Sequence, residues 1–499
     1  MDLAQAPVVD VASADGAYGN ARLVGQFVLS RDRSLQPPAW LSDRVGDWCL
    51  GWHPRLPVMR LLADGDRPVG WMLGYPISEA GVLADGGTVL RVTAQAMVSV
   101  DAFEEFVYSF GGRFAVILAE GSHRRVYLDP CGSLSAVYCT HQRVIASTSN
   151  LIPYDSRTRD RLELALAIGI PYTEGMYPFA MTSRHGVERL LPNHFLDLGE
   201  WQAVRHWPRE PLAETPDVDK AVAEIAVIVK RQIAAIATAV PSYLPLTAGL
   251  DSRMLLACAR RVADRLELFT RAIDDRNATV DCDTARRIAR RFNLKHLTLP
   301  MVEATDRDLE EWMFRIAYST SEIRGRQCAT MYKQLPGGHA VIGGQAGEIA
   351  RGYYWCEGDT EASVITPERL IDICICPRDD EPLARARAWL DSLPTNNALR
   401  ILDFFFVEQD MGGWAGILPY AECDPGFPIF PLCHRRVVEH MLTLPLSYRQ
   451  SGRLARDIIE REWPELLEWP INQPIGATRL VLAARKAIRM GKRAWRSRR

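Results

Sequence analysis

The stretch 242–259, SYLPLTAGLDSRMLLACA, constrains the fold more than any other part of the chain. An apolar strand-like run meets the small residues Thr247, Ala248 and Gly249 and passes at once into a helix that begins near Asp251. The flanking text repeats the theme. VDKAVAEIAVIVKRQIAAIATAV before it has helical spacing, LELFTRAI, HLTLP and HAVIGG read as buried strands, and DSRMLLACARRV, DCDTARRIARRF and 306–318 read as helices. That alternation predicts a parallel α/β sheet. Beyond Pro367 helices dominate, and no repeat of fixed period runs through the chain.

The first part reads differently. From residue 21 to 207, short apolar runs such as RLVGQFVL, GRFAVILAE, RVYLD and VIAST are separated by Gly, Asp and Ser turns, which predicts α+β or mostly β structure. PREPLAETPD, 208–217, has no periodicity and marks a linker. A length of 499 residues agrees with two or three units. The division is 1–207, linker 208–217, a unit 218–475 and a tail 476–499.

A formal charge of -2 gives no reason to expect a nucleic-acid partner. No apolar run approaches the roughly 18 residues of a membrane span, and the first residues carry acids where an export signal carries Lys or Arg, so a cytoplasmic location is expected. The eleven cysteines are scattered apart from Cys374 and Cys376, and with no second pair they read as reduced, buried thiols rather than a zinc site.

Strand, small-residue turn and helix together form an anion cradle. Small side chains admit phosphate oxygens to the backbone, and the first free N–H groups of the helix favour negative charge. Ser252 adds a hydroxyl. Asp251 and Ser252 could equally serve as ordinary helix caps.

LTAGLDSR resembles the LSGGxDSS pyrophosphate loop of the asparagine synthetase family, with Thr247 and Ala248 in place of Ser and Gly. Downstream, HAVIGGQAGEIARGYY is similar to the family's VVLSGEGSDELFGGY. The resemblance implies that ATP is held by Leu246, Thr247, Ala248, Gly249, Leu250, Asp251 and Ser252. It places the adenine near Gly344 and the backbone of Phe269 and Thr270. It makes Asp251 and Glu348 the ligands of Mg²⁺, and puts Gln345 where the family has Glu. Ala248 would be strained if that position needs positive φ. Glu348 could instead be a surface acid paired with Arg351. Between the motifs, Asp281 or Asp283 reads as the start of the family's second helix or as a plain cap.

GGRFAVIL, YLDPCGSLSAVYC and HGVERLLPNHFLDLG resemble the family's glutaminase domain, but position two is Asp2, where the family has its nucleophilic Cys, and the first cysteine is Cys49. No ammonia from glutamine is therefore expected. FPIFPLCHRRVVEHMLTLP resembles a later family helix, with Cys433 in place of Asp, and no lysine lies between Lys333 and Lys486 to fill the family's catalytic lysine position. Either an arginine such as Arg453 or Arg479 takes that charge, or the acyl-adenylate chemistry is weakened. Gln345, Glu348 and Arg453 are the catalytic candidates.

The implied fold is a degenerate N-terminal-nucleophile (glutaminase-like) sandwich followed by an adenine-nucleotide α-hydrolase-like parallel α/β synthetase domain with a helical C-terminal part. The implied activity is ATP-dependent amide ligation, in which a carboxylate is adenylated and an amine displaces AMP. As in lasso-peptide cyclases and β-lactam synthetases, the amine would belong to the small-molecule or peptide substrate. A nucleotide-binding regulatory protein and an ammonia-dependent asparagine synthetase are the alternatives. The last fifteen residues carry eight cations, and Leu480, Ala484, Ile488 and Trp495 share a helical face. That tail reads as a contact for an anionic membrane or an acidic partner, or as a solvated terminal helix.

Overall fold

Along the first strands, neighbouring side chains enter different cores, because both faces of each sheet are covered. The computed structural model describes residues 22–272, 276–422 and 426–474, so the expectations for Asp2, Arg479 and the basic tail lie outside the described residues. In chain order the strands are β1 (Phe27–Ser30), β2 (Leu41–Val45), β3 (Trp48–Trp52), β4 (Val58–Ala63), β5 (Arg67–Ser78) and β6 (Val89–Arg91). Helices α1 (Ala94–Val98) and α2 (Val100–Tyr108) follow, then β7 (Phe110–Leu118), β8 (Arg125–Leu128), β9 (Val137–Cys139) and β10 (Val144–Ala146). Helix α3 (Leu162–Ala167) precedes β11 (Glu188–Arg189), β12 (His194–Asp197) and β13 (Ala203–Arg205).

These strands form a six-stranded sheet, β11-β9-β10-β1-β3-β2, and a seven-stranded sheet, β13-β12-β8-β7-β5-β4-β6. Only the β4–β6 pairing in them is parallel. Phe27, Leu29 and Trp48 of the first sheet share one core with Trp71, Leu73 and Ile117 of the second. Val28 and Val144 point to a separate outer cluster, while Met72 and Val116 pack with Phe103 and Val107 of α2. Cys49 lies buried inside β3.

Residues 208–217 carry no helix or strand. Asp217 then caps α4 (Val218–Ala239) by accepting from Lys220 N at 2.9 Å, and Ile225, Val229, Ile233 and Ile236 form its buried stripe. The expected alternation follows: β14 (Ser242–Pro245), α5 (Leu250–Cys258), β15 (Leu266–Ala272), α6 (Arg276–Phe292), β16 (His296–Pro300), α7 (Asp306–Arg315), α8 (Ile323–Tyr332) and β17 (Ala340–Ile342). With β18 (Phe427–Ile429) they make an all-parallel sheet in the order β16-β15-β14-β17-β18. The chain is thus mixed α/β, with one parallel and two largely antiparallel sheets.

Three details depart from the sequence reading. α6 is already helical at Arg276, so Asp281 lies inside the helix and does not open it. α7 stops at Arg315 because Ala317 and Tyr318 take left-handed φ of 49° and 53°. β18 comes from the FPIFPLC run, which lacks a strand-like alternation.

After Pro367 the chain is mostly helical. The helix Ala398–Phe405 continues as a π-helical segment, Phe406–Ala415, a wide winding often found at functional sites. This segment joins the two halves. Glu408, fully buried, accepts from Arg205 Nη2 at 2.8 Å, Asn193 Nδ2 at 2.9 Å and Trp389 Nε1 at 2.7 Å. A Cβ on Gly412 would stand 2.3 Å from Cδ of Pro192, so only glycine lets the segment come this close. Among the described residues no helix is long and apolar enough to cross a membrane.

Candidate functional site

The strand order reverses beside β14, with β15 and β16 on one side and β17 and β18 on the other. In open parallel sheets, ligands bind outside the carboxyl ends of the strands at such a reversal. The loops that leave β14 and β17 are the two motif loops singled out in the sequence.

The first loop is held by its own side chains. Thr247 N donates to Ser252 Oγ at 3.0 Å, the Thr247 and Ser252 hydroxyls meet at 2.8 Å, and Gly249 N donates to Thr247 Oγ1 at 3.1 Å. Ser252 and Thr247 therefore shape the turn and not merely the helix end. Ala248 is absent from the residues with positive φ, and Gly249 has φ of -78°, so the replacement of glycine by Ala248 brings no strain. Leu246 N donates to Phe269 O at 2.9 Å and Thr270 Oγ1 donates to Leu246 O at 2.6 Å, tying the loop to β15. The Phe269 ring is buried with Tyr243, Leu299 and Leu335, which leaves only its backbone on the loop side.

Three further groups complete the cradle. Ala248 N donates to Asp281 Oδ1 at 2.8 Å, so Asp281 braces the loop from inside α6. Arg253, fully buried, donates to four carbonyls: Ala248 at 2.9 Å, Leu466 at 3.2 Å, Trp469 at 2.7 Å and Pro470 at 2.9 Å. Asn472 N donates to Ala248 O at 3.1 Å. Residues 466–472 are thereby pinned over the loop. Leu250 and Asp251 begin α5, whose first-turn N–H groups have no partners within the helix.

In the second loop Gly343 is required, since a Cβ there would meet the Phe430 ring at 2.6 Å. Gly344 is not, because its nearest contact would be an ordinary 3.5 Å to Leu255. Strain falls instead on Ala346, with φ of 77°, at a cost of about 1–2 kcal/mol. Gln345 Oε1 is buried and has no hydrogen-bond partner. The loops touch where a Cβ on Gly347 would be 3.6 Å from Asp251 Oδ1.

The two carboxylates named from the motifs meet here around a cation. Arg351 Nη2 lies 3.0 Å from Asp251 Oδ2 and 3.2 Å from Glu348 Oε1. All three side chains are about one-third exposed, at 37%, 37% and 35%. Burial pushes the Glu348 carboxyl up, its own backbone N–H and Arg351 pull it down, and Asp251 pushes it up again. Two hard oxygen donors from separate loops suit a divalent cation such as Mg²⁺. Arg351 grips the same oxygens, so it and a cation compete. Arg453 lies at the start of the helix Leu454–Glu462, where it faces Asp457 at 3.5 Å and the Tyr448 ring at 5.7 Å; it makes no ion pair with Asp251 or Glu348.

One acid near the site has no motif. Asp410, in the π-helical segment, accepts from Tyr354 OH at 2.7 Å. Burial, with Glu348 and Glu174 adding to it, pushes its carboxyl up to about 6 against the pull of Tyr354. The sequence signal was Glu408 and Asp410 inside the apolar run ILDFFFVEQDMGGWAGI, where acids must find buried partners.

Elsewhere Asp129, Cys131 and Cys433 cluster, all buried. Asp129 already accepts from the backbone of Phe114, Cys131, Ser133 and Leu134 and from the Ser133 hydroxyl, which leaves little capacity for a metal. A scan against protein-family models and a search of curated proteins each find no match for this chain.

Proposed function

We propose that this protein is an ATP-dependent ligase of asparagine synthetase type that joins a carboxylate to an amine and has no glutaminase chemistry. In this reading the first half is a degenerate N-terminal-nucleophile sandwich, and the parallel sheet is an adenine-nucleotide α-hydrolase-like synthetase unit. The observation that carries it is the meeting of Asp251 and Glu348 at the reversal of the parallel sheet, beside a small-residue loop that opens a helix.

The loop 246–252 would receive the phosphates, and the backbone at Phe269, Thr270 and Gly344 the adenine. Asp251 and Glu348 would hold Mg²⁺, which when bound offsets phosphate charge. A substrate carboxylate oxygen then attacks the α-phosphorus and pyrophosphate leaves. The amine attacks the acyl carbon, gives up a proton and expels AMP. Asp410, with its carboxyl near 6, is suited to take that proton. Arg351 is better placed than Arg453 to supply positive charge once it lets go of the two acids.

A second reading, nucleotide binding without ligation, is favoured by one observation: Arg351 covers both carboxylates while the Asp281 carboxylate occupies the Ala248 N–H. Exchange of labelled pyrophosphate into ATP, with candidate carboxylates and peptides encoded beside the gene, separates the two. Substrate-dependent exchange supports ligation; nucleotide binding without exchange supports the second reading.

A further inference from the structure

The outward face of α6 carries more positive charge than its place in the fold explains. Arg286, Arg287, Arg290 and Arg291 are exposed on one face of the helix, and Lys295 is exposed in the turn that leads to β16. Of the two acids in α6, Asp281 is committed to the Ala248 N–H and Asp283 pairs with Arg287 at 3.2 Å. Arg286 makes only a long contact, 3.5 Å, to Thr298 Oγ1. Among the described residues Arg290, Arg291 and Lys295 form no ion pair. Like charges four apart weaken a helix, as Arg286 with Arg290 and Arg287 with Arg291 must. The helix dipole favours cations in the last turn, which accounts for Arg290 and Arg291 but not for Arg286 and Arg287.

The basic tail leaves the described residues beside the same helix. Trp463 and Trp469 pack on Phe292 at the end of α6, with ring centroids 4.8 and 6.0 Å away. Further on, Asn472 N donates to Ala248 O, while Ala248 N donates to Asp281 of α6. Residues 463–472 therefore run alongside α6, and the described residues end at 474. The chain beyond holds no acid and has eight cations in its last fifteen residues, although the whole chain has a formal charge of -2.

We propose that the α6 face and the tail together dock this protein on an anionic lipid surface. The inference does not depend on the ligase reading. Charge complementarity calls for a polyanion, and the apolar residues of the tail select which one. Leu480, Ala484, Ile488 and Trp495 recur at helical spacing among the cations, the pattern that seats an apolar face in a bilayer interface. A nucleic acid would meet the cations through its phosphates and leave those apolar side chains without a partner. Clustered Lys and Arg are drawn to an anionic leaflet, and apolar insertion adds to that attraction.

The test uses the full chain and vesicles of phosphatidylcholine with about 30% phosphatidylserine, against phosphatidylcholine alone, read by co-sedimentation. Binding is expected to the anionic vesicles only and should fall as salt rises. A cation at such a surface raises affinity about fivefold, so Arg290→Gln with Arg291→Gln should weaken binding by about 5- to 25-fold. Arg33→Gln with Arg67→Gln, the same loss of charge at exposed positions of the first half, should leave binding unchanged. Labelling of arginines by phenylglyoxal, read by mass spectrometry on the unaltered protein, should fall at Arg286–Arg291 when anionic vesicles are present, and it decides if the α6 variant does not fold. Equal or no binding to the two kinds of vesicle would overturn the proposal, as would an equal loss in both double variants or unchanged labelling of α6. So would a lowered melting temperature with unchanged binding in the α6 variant, or tighter binding to duplex DNA than to the anionic vesicles at the same salt.

Discussion

Replacing Arg351 with Gln should make the protein bind a divalent cation more tightly, although the change removes no cation ligand. Arg351 touches Asp251 at 3.0 Å and Glu348 at 3.2 Å, and a cation must displace both contacts. The three side chains are more than a third exposed, so each contact is worth about 0.2–1 kcal/mol after solvent screening. Two such contacts, about 0.4–2 kcal/mol together, are what the competing cation no longer has to overcome. At 0.59 kcal/mol per RT, that is a gain of about 2- to 30-fold in affinity. The same range bounds the loss of stability on making the variant. Mn²⁺ titration followed by electron paramagnetic resonance, in nucleotide-free protein at low salt, reads the change directly. The gain should shrink as salt rises. It should also vanish in the double variant Glu348→Gln, Arg351→Gln, which has lost one of the two acids. An affinity that stays unchanged or falls in Arg351→Gln would refute the competition, as would a gain that survives in the double variant.

Arg253→Met should cost at least about 3 kcal/mol, since four carbonyls lose a charged donor and each such bond is worth about 1.5–3; hydrogen exchange should speed up at 247–250 and 466–472 together, and protection confined to one segment would count against a shared clamp. For Asp410, the folded carboxyl near 6 lies above its unfolded value near 4, so its stability contribution is complete below about pH 4 and is lost as pH rises towards 6. The loss is at most about 3 kcal/mol, and Asp410→Asn should flatten the stability–pH curve in that window when followed by urea unfolding.

What was legible in the sequence was local. Apolar spacing and the small residues at 247–249 predict strand, turn and helix, and the two motifs in order point to Asp251 and Glu348, which the structure brings to one arginine. Side-chain demands set by distant packing were not legible. Ala248 invited a question about strain, yet the left-handed residue is Ala346 in the other loop, a distinction of dihedral angle that residue type does not carry. Asp281 or Asp283 reads as the start of a helix or as a plain cap, but Asp281 lies inside the helix and accepts from the Ala248 N–H across the turn. Nothing in the sequence around Arg253 marks it, while the fold buries it among carbonyls that include those of a segment more than two hundred residues later. Arg453 fits the charge pattern of the sequence and faces Asp457, whereas Arg351, which the sequence offers as a surface partner of Glu348, lies against both Asp251 and Glu348.

The place of Glu408 bears on how the protein can be cut. Its carboxylate is buried in the second half, yet the guanidinium and amide that hold its charge, Arg205 and Asn193, belong to the first. A fragment starting at residue 218 would keep the anion and lose its guanidinium counter-charge and the Asn193 amide. The same cut would bare the glycine face that lies against Pro192. The second half therefore leans on the first for its stability, so expression of the second half alone should yield aggregate, and co-expression of residues 1–217 as a separate chain should restore it to solution.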